Sequence, residues 1–306
     1  GIFLVWWQLK DMTVTEKSEF ADAFKYANYW LIIPIIFMSL LSHLVRAIRW
    51  KLLMEPLDFK PKLKNVFSVV MIGYLANSAV PRLGEILKCT FLAKYEKLNV
   101  GKLVGTIIIE RTFDLVCFLI FIGLTILIQI DLIGNYVKEK IITMGQTAGI
   151  PLWANLLIIL GIIFFIIFFI KMLFKKFPGN KIIIRINLFL KGIAAAFKTV
   201  KQFKKKRLFL FHTFLIWALY LLQIYIGFQA MEGTSHLSIK AAFAVLTLAS
   251  LAMIATPGGI GSFPLFVMET LTIYGIAGSL GKAFGWLIWG VATGIIIIAG
   301  VVCLLI

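Results

Sequence analysis

The sequence predicts an all-α integral membrane protein, a polytopic helical bundle that forms a single membrane domain over residues 1–306. Hydrophobic residues make up 61% of the chain and the mean hydropathy is +0.97, which does not suit a water-soluble domain. Several uncharged runs, such as residues 151–170, are long enough to cross a hydrocarbon core of about 30 Å. Because these runs do not alternate apolar and polar residues, they argue against a β-barrel.

The distribution of charge predicts how the helices are oriented. Residues 8–28 are polar and mixed in charge, which suits an outside loop after a first apolar stretch that looks like the end of a helix. A span over residues 29–48 then ends in basic residues, which marks the cytoplasmic side. Residues 171–207 hold twelve Lys or Arg and no acid, and carry much of the net charge of +17. They predict either a helix lying on an anionic membrane or an ordinary cytoplasmic loop.

Residues 65–95 predict a helical hairpin that enters the membrane and returns to the same side. Seventeen uncharged residues separate Lys64 from Arg82, and polar and helix-breaking residues interrupt the run at 79–84. Basic residues flank both ends, so both ends are expected in the cytoplasm. Backbone freed at such a break must be buried in protein or line a wet cavity. The alternative is one ordinary span followed by a basic loop.

A second interrupted stretch at residues 241–281 predicts an internal repeat. At an offset of 176, residues 68–81 match residues 244–257 at five positions, including Pro81 with Pro257. The span before the first stretch is expected to run inward and the span before the second outward. The second hairpin would then enter from outside, giving the inverted-topology repeat found in many transporters. The alternative is chance similarity between apolar helices.

These features predict how the domain is organised along the chain. Residues 29–130 form the first repeat, residues 131–207 a connecting span with the basic cytoplasmic segment, and residues 208–306 the second repeat. A long helix over residues 102–130 completes the first repeat, and a last span from residue 282 completes the second.

Charged residues inside the long helix are the strongest chemical signal. Glu110 and Asp114 lie about 12 and 18 Å into it, on one face. Charges at that depth should face protein or water, and Arg82 and Glu85 at the hairpin break are the expected partners of Glu110, Arg111 and Asp114. These five side chains have a negative sum, which favours a cationic or zwitterionic headgroup. They predict an ion network that holds the hairpin, a polar slot for a headgroup, or both.

Two further groups of residues each allow two interpretations. Arg46 and Arg49 lie on one helix face, where they would either contact a lipid phosphate or extend to the membrane surface. The glycines of residues 256–262 would either let backbone approach a ligand or let helices pack tightly. The cysteines and histidines are scattered, so the sequence predicts no disulfide, metal site, cofactor or catalytic residue.

The motifs RAIRW, GYLANSAVPRLGE, ERTFD and PGGIGSFP together resemble the transmembrane flippase domain of the lysylphosphatidylglycerol synthase family. The resemblance includes the stand-alone flippase-like (YbhN-type) relatives and runs from about residue 29 onward. Members resemble lipid translocators, and in two-part relatives a separate soluble domain makes the lysyl-lipid. This sequence has no such domain, so we expect no enzyme activity. The substrate does not transfer with the resemblance either.

The function expected from the sequence is a lipid flippase in the cell (inner) membrane, with a polar slot between the two hairpin tips. The alternatives are a membrane transferase acting on lipid-linked sugars and a carrier of a small solute. The expected partners are anionic or aminoacylated phospholipids, with a homo-oligomer and a separate lipid-modifying enzyme also allowed, and no nucleic acid. The predicted substrate-site residues are Arg46, Arg49, Asn77, Pro81, Arg82, Gly84, Glu85, Glu110, Arg111, Asp114, Pro257, Gly258, Gly259, Gly261 and Glu269.

Overall fold

The computed structural model describes residues 2–10, 12–129, 191–196 and 198–306, and these residues form helices and turns without strands. The chain divides into two compact units, one of residues 1–125 with 202–306 and one of residues 126–201. In the second unit, residues 191–196 and 198–201 are helical. The predicted span at 151–170 and most of the basic segment at 171–207 lie outside the described residues.

Among the described residues, four helices are long and apolar enough to cross a membrane, which confirms the predicted class of polytopic helical membrane protein. They are Tyr29–Leu57, Val100–Ile128, Lys206–Ala230 and Gly278–Leu305. The labelled helices are α1 (Ile2–Lys10), α2 (Val14–Lys25), α3 (Ile32–Met54), α4 (Leu63–Ala79), α5 (Leu83–Glu96), α6 (Val100–Ile128), α7 (Lys206–Ala230), α8 (Ile239–Ala255), α9 (Ser262–Ile273) and α10 (Gly278–Leu305).

Helices α4 and α5 form an antiparallel hairpin around a break of three residues. At its open end, Glu96 accepts hydrogen bonds from the Lys62 backbone at 2.9 Å and from the Asn65 side chain at 2.7 Å. Near the tip, a Cβ atom on Gly84 would overlap the carbonyl oxygen of Gly73. Glycine at position 84 therefore allows the two helices to cross closely.

Helices α8 and α9 form the second hairpin, whose turn is rich in glycine. Gly258, Gly259 and Gly261 have φ values of 60°, 70° and 75°, which glycine adopts without strain. The first arms of the two hairpins, α4 and α8, are both seventeen residues long. They start at residues 63 and 239, which differ by 176, the offset of the sequence match.

The two hairpins enter the unit from opposite ends. Helices α3 and α7 are antiparallel, since Asn28 at the start of one bonds the carbonyl of Ala230 at the end of the other at 2.8 Å. The α4 hairpin follows α3 and the α8 hairpin follows α7, so their open ends lie apart. Their tips meet, because a Cβ atom on Gly258 would lie 3.3 Å from the Cα of Ser78. This is the geometry that an inverted repeat requires.

The polar segment at residues 8–28 is mostly helical, where the sequence predicted a loop. Thr13 and Glu16 form a capping box at the start of α2, with bonds of 3.2 Å and 2.8 Å between backbone and side chain. The hydrogen bonds that the Thr13 backbone and hydroxyl donate to the Glu16 carboxyl lower its pKa. The Thr-x-x-Glu pattern was visible in the sequence. Ser279 at the start of α10 donates a hydrogen bond to Glu19 of α2 at 2.5 Å.

Candidate functional site

A buried ion cluster joins α3 to α6. Arg46 and Arg49 are three residues apart on α3, and Glu110 and Asp114 are four apart on α6, so each pair shares one helix face. The Asp114 carboxylate accepts hydrogen bonds from one guanidinium nitrogen of Arg46 and one of Arg49, each at 2.7 Å. Glu110 Oε1 lies 3.3 Å from Arg46 and 3.4 Å from Arg49. Each carboxylate therefore bridges two arginines.

Lys88 of α5 completes this cluster from the first hairpin. Its ammonium group lies 2.9 Å from Glu110 Oε2 and 4.5 Å from the centre of the Trp50 ring. The Trp50 indole in turn donates a hydrogen bond to Thr106 at 2.8 Å. The side chains of Glu110 and Arg49 are fully buried. Removing one partner would leave an uncompensated buried charge, so the cluster fastens the hairpin to α3 and α6.

The predicted pairing of the hairpin break with the long helix holds for Glu85, which binds Arg111, but not for Glu110 and Asp114. Glu85 pairs with Arg111 at 2.7 Å, and both carboxylates on α6 pair with α3 or with Lys88. The sequence gives the face of α6 that carries the acids, but not which helix packs against that face.

Three basic residues also differ from their expected environment. Lys88, one of the basic residues that follow the break in the first hairpin, is buried. Arg46 and Arg49 do not extend to the surface, because both belong to the cluster. With these cations included, the described charges around the site have a positive sum, and not the negative sum expected from the sequence.

A cavity of about 520 Å³ lies where the two hairpin tips meet. Its wall combines aliphatic side chains with hydroxyl, amide, aromatic and charged ones. Of the residues predicted from the sequence, the wall contains Asn77, Pro81, Arg82, Glu85, Arg111, Pro257 and Gly258.

The other predicted site residues lie outside this wall. Arg46, Arg49, Glu110 and Asp114 form the buried cluster, and Gly84 lies at the helix crossing of the first hairpin. Glu269 is exposed on α9, away from the cavity.

The glycines of the second turn have roles in packing and bonding. The carbonyl of Gly258 accepts a hydrogen bond from the Trp289 indole at 2.8 Å. The carbonyl of Gly261 accepts one from the Gln8 side chain at 2.6 Å. A Cβ atom on Gly259 would lie 2.5 Å from the Met253 sulfur. Close packing therefore accounts for Gly259, and the turn is held to α1 and α10 by neutral hydrogen bonds.

Several cavity residues were not predicted from the sequence, among them His43, Tyr74, Tyr220, Gln223 and Trp289. The His43 and Tyr74 rings lie 4.8 Å apart, and Arg46 donates a hydrogen bond to the Tyr220 hydroxyl at 3.3 Å. The buried cluster is thus bonded to the cavity wall. The available signal was the presence of polar residues inside otherwise apolar spans.

These features define a polytopic helical membrane protein in which two broken hairpins, entering from opposite ends, meet at a cavity with polar and charged groups on its wall. The chain belongs to the family described as the lysylphosphatidylglycerol synthase TM region, whose match covers residues 1–300. This confirms the family resemblance seen in the motifs.

Two relatives match most of the chain. The UPF0104 membrane protein MJ1595 of Methanocaldococcus jannaschii is 24% identical over 268 residues, covering 83% of this chain and 77% of the relative. The UPF0104 membrane protein PH1989 of Pyrococcus horikoshii is 23% identical over 286 residues, covering 85% and 80%. No solved structure matches the chain.

Proposed function

We propose that the protein is a lipid translocator of the cell membrane, which moves a phospholipid headgroup between leaflets through the cavity at the hairpin tips. The observation that carries this proposal is a cavity of about 520 Å³, with apolar, polar and charged groups on its wall, where tips from opposite ends of an apolar bundle meet. Membership of a family named after a lipid synthase membrane region supports a lipid as the cargo.

The cavity wall can replace the hydrogen bonds and charge stabilisation that a headgroup loses when it leaves water. A charged group moved into hydrocarbon without partners meets a large free-energy barrier. Arg82, Asn77 and Tyr74 provide a cation and hydrogen-bonding groups on the wall, while the acyl chains would stay in the bilayer. The barrier to crossing is lowered because the headgroup exchanges its hydration for these groups.

The two hairpins would divide the work of opening and closing the path. Each tip would close the path towards one end of the unit in turn, as alternating access in an inverted repeat requires. The first hairpin is fastened to α3 and α6 by the buried salt bridge of Lys88 with Glu110. The second turn is held by the neutral bonds of Gly258 and Gly261, which exchange more readily than buried ion pairs.

The proposal is tested with the purified protein in liposomes. We expect faster movement of labelled phospholipids between leaflets without ATP, measured over a panel of headgroups. Ala292 lines the cavity on α10, and Ala292→Trp should fill it and slow transport at least about tenfold. Ile298→Trp is the matched control, since Ile298 is 69% exposed on the same helix, and it should transport normally.

The enzyme alternative has a distinct outcome in the same preparation. Wild-type protein that moves no lipid of the panel, yet transfers sugar from a lipid-linked donor, would establish the transferase. Movement of a soluble solute alone would establish the solute carrier. No observation on the described residues favours either alternative over lipid movement.

A further inference from the structure

The charges around the cavity do not balance within the described residues. The wall and the buried cluster together hold five cations, namely Arg46, Arg49, Arg82, Lys88 and Arg111, and three carboxylates, namely Glu85, Glu110 and Asp114. With His43 neutral, two positive charges remain uncompensated in this part of the chain. An excess of cations beside an enclosed cavity favours an anionic occupant.

One of these cations is placed to meet that occupant. Arg111 is paired with Glu85, whereas the Arg82 side chain makes no ion pair or hydrogen bond to any residue that the structure describes. Arg82 lies on the cavity wall at the tip of the first hairpin. An arginine fork matches phosphate oxygens in geometry as well as in charge.

The backbone at Arg82 supplies an independent indication. Its φ is +68°, a left-handed conformation that side chains other than glycine adopt with strain. In the turn of the second hairpin, the residues with positive φ are glycines, namely Gly258, Gly259 and Gly261. Turn geometry therefore does not explain an arginine here. Strained residues of this kind are concentrated at functional sites, and the guanidinium is the feature that glycine would lack.

The wall offers little to a cationic group. Glu85 is the one carboxylate among the described wall residues, and its Oε1 already binds Arg111 at 2.7 Å. Its Oε2 is buried and has no hydrogen-bond partner among the described residues, and Arg111 already balances the charge of this carboxylate. By contrast, hydrogen-bond donors remain: Asn77 uses its side-chain oxygen to accept from Gly84 at 2.7 Å, which leaves its amide hydrogens for an acceptor.

We infer that the cavity selects a net-anionic, phosphate-bearing headgroup that Arg82 binds directly, and that it disfavours a lysylated headgroup of net positive charge. This inference rests on the proposed function for the source of the phosphate. The same chemistry would recognise a soluble phosphate ester, and the experiment separates the two sources.

The test measures binding to the whole chain in detergent by native mass spectrometry. The probes are short-chain phosphatidylglycerol, its lysyl ester and glycerol phosphate. Wild-type protein should bind phosphatidylglycerol at least about tenfold more tightly than the lysyl ester, because the ammonium groups of the ester would lie beside uncompensated cations of the same charge. Arg82→Lys should keep most of this preference, and Arg82→Gly should lose it.

Arg82→Gly is a sharp variant because glycine suits the backbone at φ +68°, so the turn should fold at least as well as with lysine. Thermal unfolding checks this. Arg82→Asn, which also tolerates the left-handed region, serves if the glycine variant fails to fold. Equal or tighter binding of the lysyl ester by wild type, or an unchanged preference in both neutral variants, would overturn the inference.

Glycerol phosphate distinguishes this inference from the proposed function. Weak competition by glycerol phosphate, with strong binding of the lipid, assigns the phosphate to a headgroup. Competition as strong as that of the lipid, still dependent on Arg82, would uphold the anion site while contradicting lipid translocation. If lipids move in liposomes without any preference for anionic headgroups, the proposed function stands and the inference fails.

Discussion

At the scale of single residues, burial decides how much each charge matters. Lys88 and Glu110 pair at 2.9 Å with side chains 6% and 0% exposed, whereas Lys205 and Glu55 pair at 2.8 Å with 57% and 38% exposed. Exposed pairs contribute little because water and salt screen them. A broken buried pair leaves a charge without solvent, which is far more destabilising.

Glu110→Gln should therefore lower the free energy of unfolding by about 3–5 kcal/mol, since three cations lose a shared carboxylate. Glu55→Gln, the matched control at the surface pair, should change it by less than about 1 kcal/mol. Thermal unfolding in detergent measures both. Combining Glu110→Gln with Lys88→Met should destabilise less than the two single effects added. Additive effects would show that Lys88 and Glu110 do not share a site.

Glycine at the hairpin crossing gives a second residue-scale prediction. Gly84→Ala should prevent the close approach of α4 and α5, because its Cβ would overlap the Gly73 carbonyl. Gly105→Ala on α6 is the control, since a Cβ there meets nothing within 4 Å. The control should gain roughly 0.5–1 kcal/mol from helix propensity, whereas Gly84→Ala should lose folded protein. Size-exclusion profiles and unfolding temperatures measure both variants. An unchanged profile and unfolding temperature for Gly84→Ala would show that the helix crossing tolerates a Cβ atom.

At the scale of elements, the breaks were predictable and the partners were not. Pro81 and Pro257 with the nearby glycines mark where α4 and α8 end, and the structure ends these helices at Ala79 and Ala255. Helix periodicity also places Glu110 and Asp114 on one face. Which helix covers that face depends on tertiary packing, so the contact with α3 and Lys88 could not be deduced from local pattern. Helix α2 was missed although its capping box was present.

The ends of the first hairpin give a topological prediction. Lys62 and Glu96 are joined by a 2.9 Å hydrogen bond, so α4 begins and α5 ends at the same end of the unit. Cysteines placed at 62 and 97 should both label from the cytoplasm, and one at 236 from outside. A cysteine-free background removes Cys89, Cys117 and Cys303. Labelling of 62 and 97 from opposite sides would make the first hairpin a through-span.

At the scale of the whole molecule, the arrangement of the hairpins is the feature that links fold to transport. Antiparallel α3 and α7 send the two hairpins in from opposite ends, and the cavity forms where Ser78 meets Gly258. The sequence predicted that the hairpins enter from opposite ends, because the spans before the two interrupted stretches are expected to run in opposite directions. The size and lining of the cavity depend on side chains from eight helices, α3 to α10, and these could not be assigned from one sequence.

The most direct test of translocation between the tips is to lock them together. A Cβ atom at Gly258 would lie 3.4 Å from the Ser78 Cβ, near the spacing of a disulfide. Ser78→Cys with Gly258→Cys, in the cysteine-free background, is reconstituted in liposomes and phospholipid movement is measured before and after reduction. We predict that the oxidised protein is at least about tenfold slower and that reduction restores the rate, because tips held together cannot open the cavity in turn. Equal rates in the fully oxidised and reduced protein would contradict passage of the headgroup between the two tips.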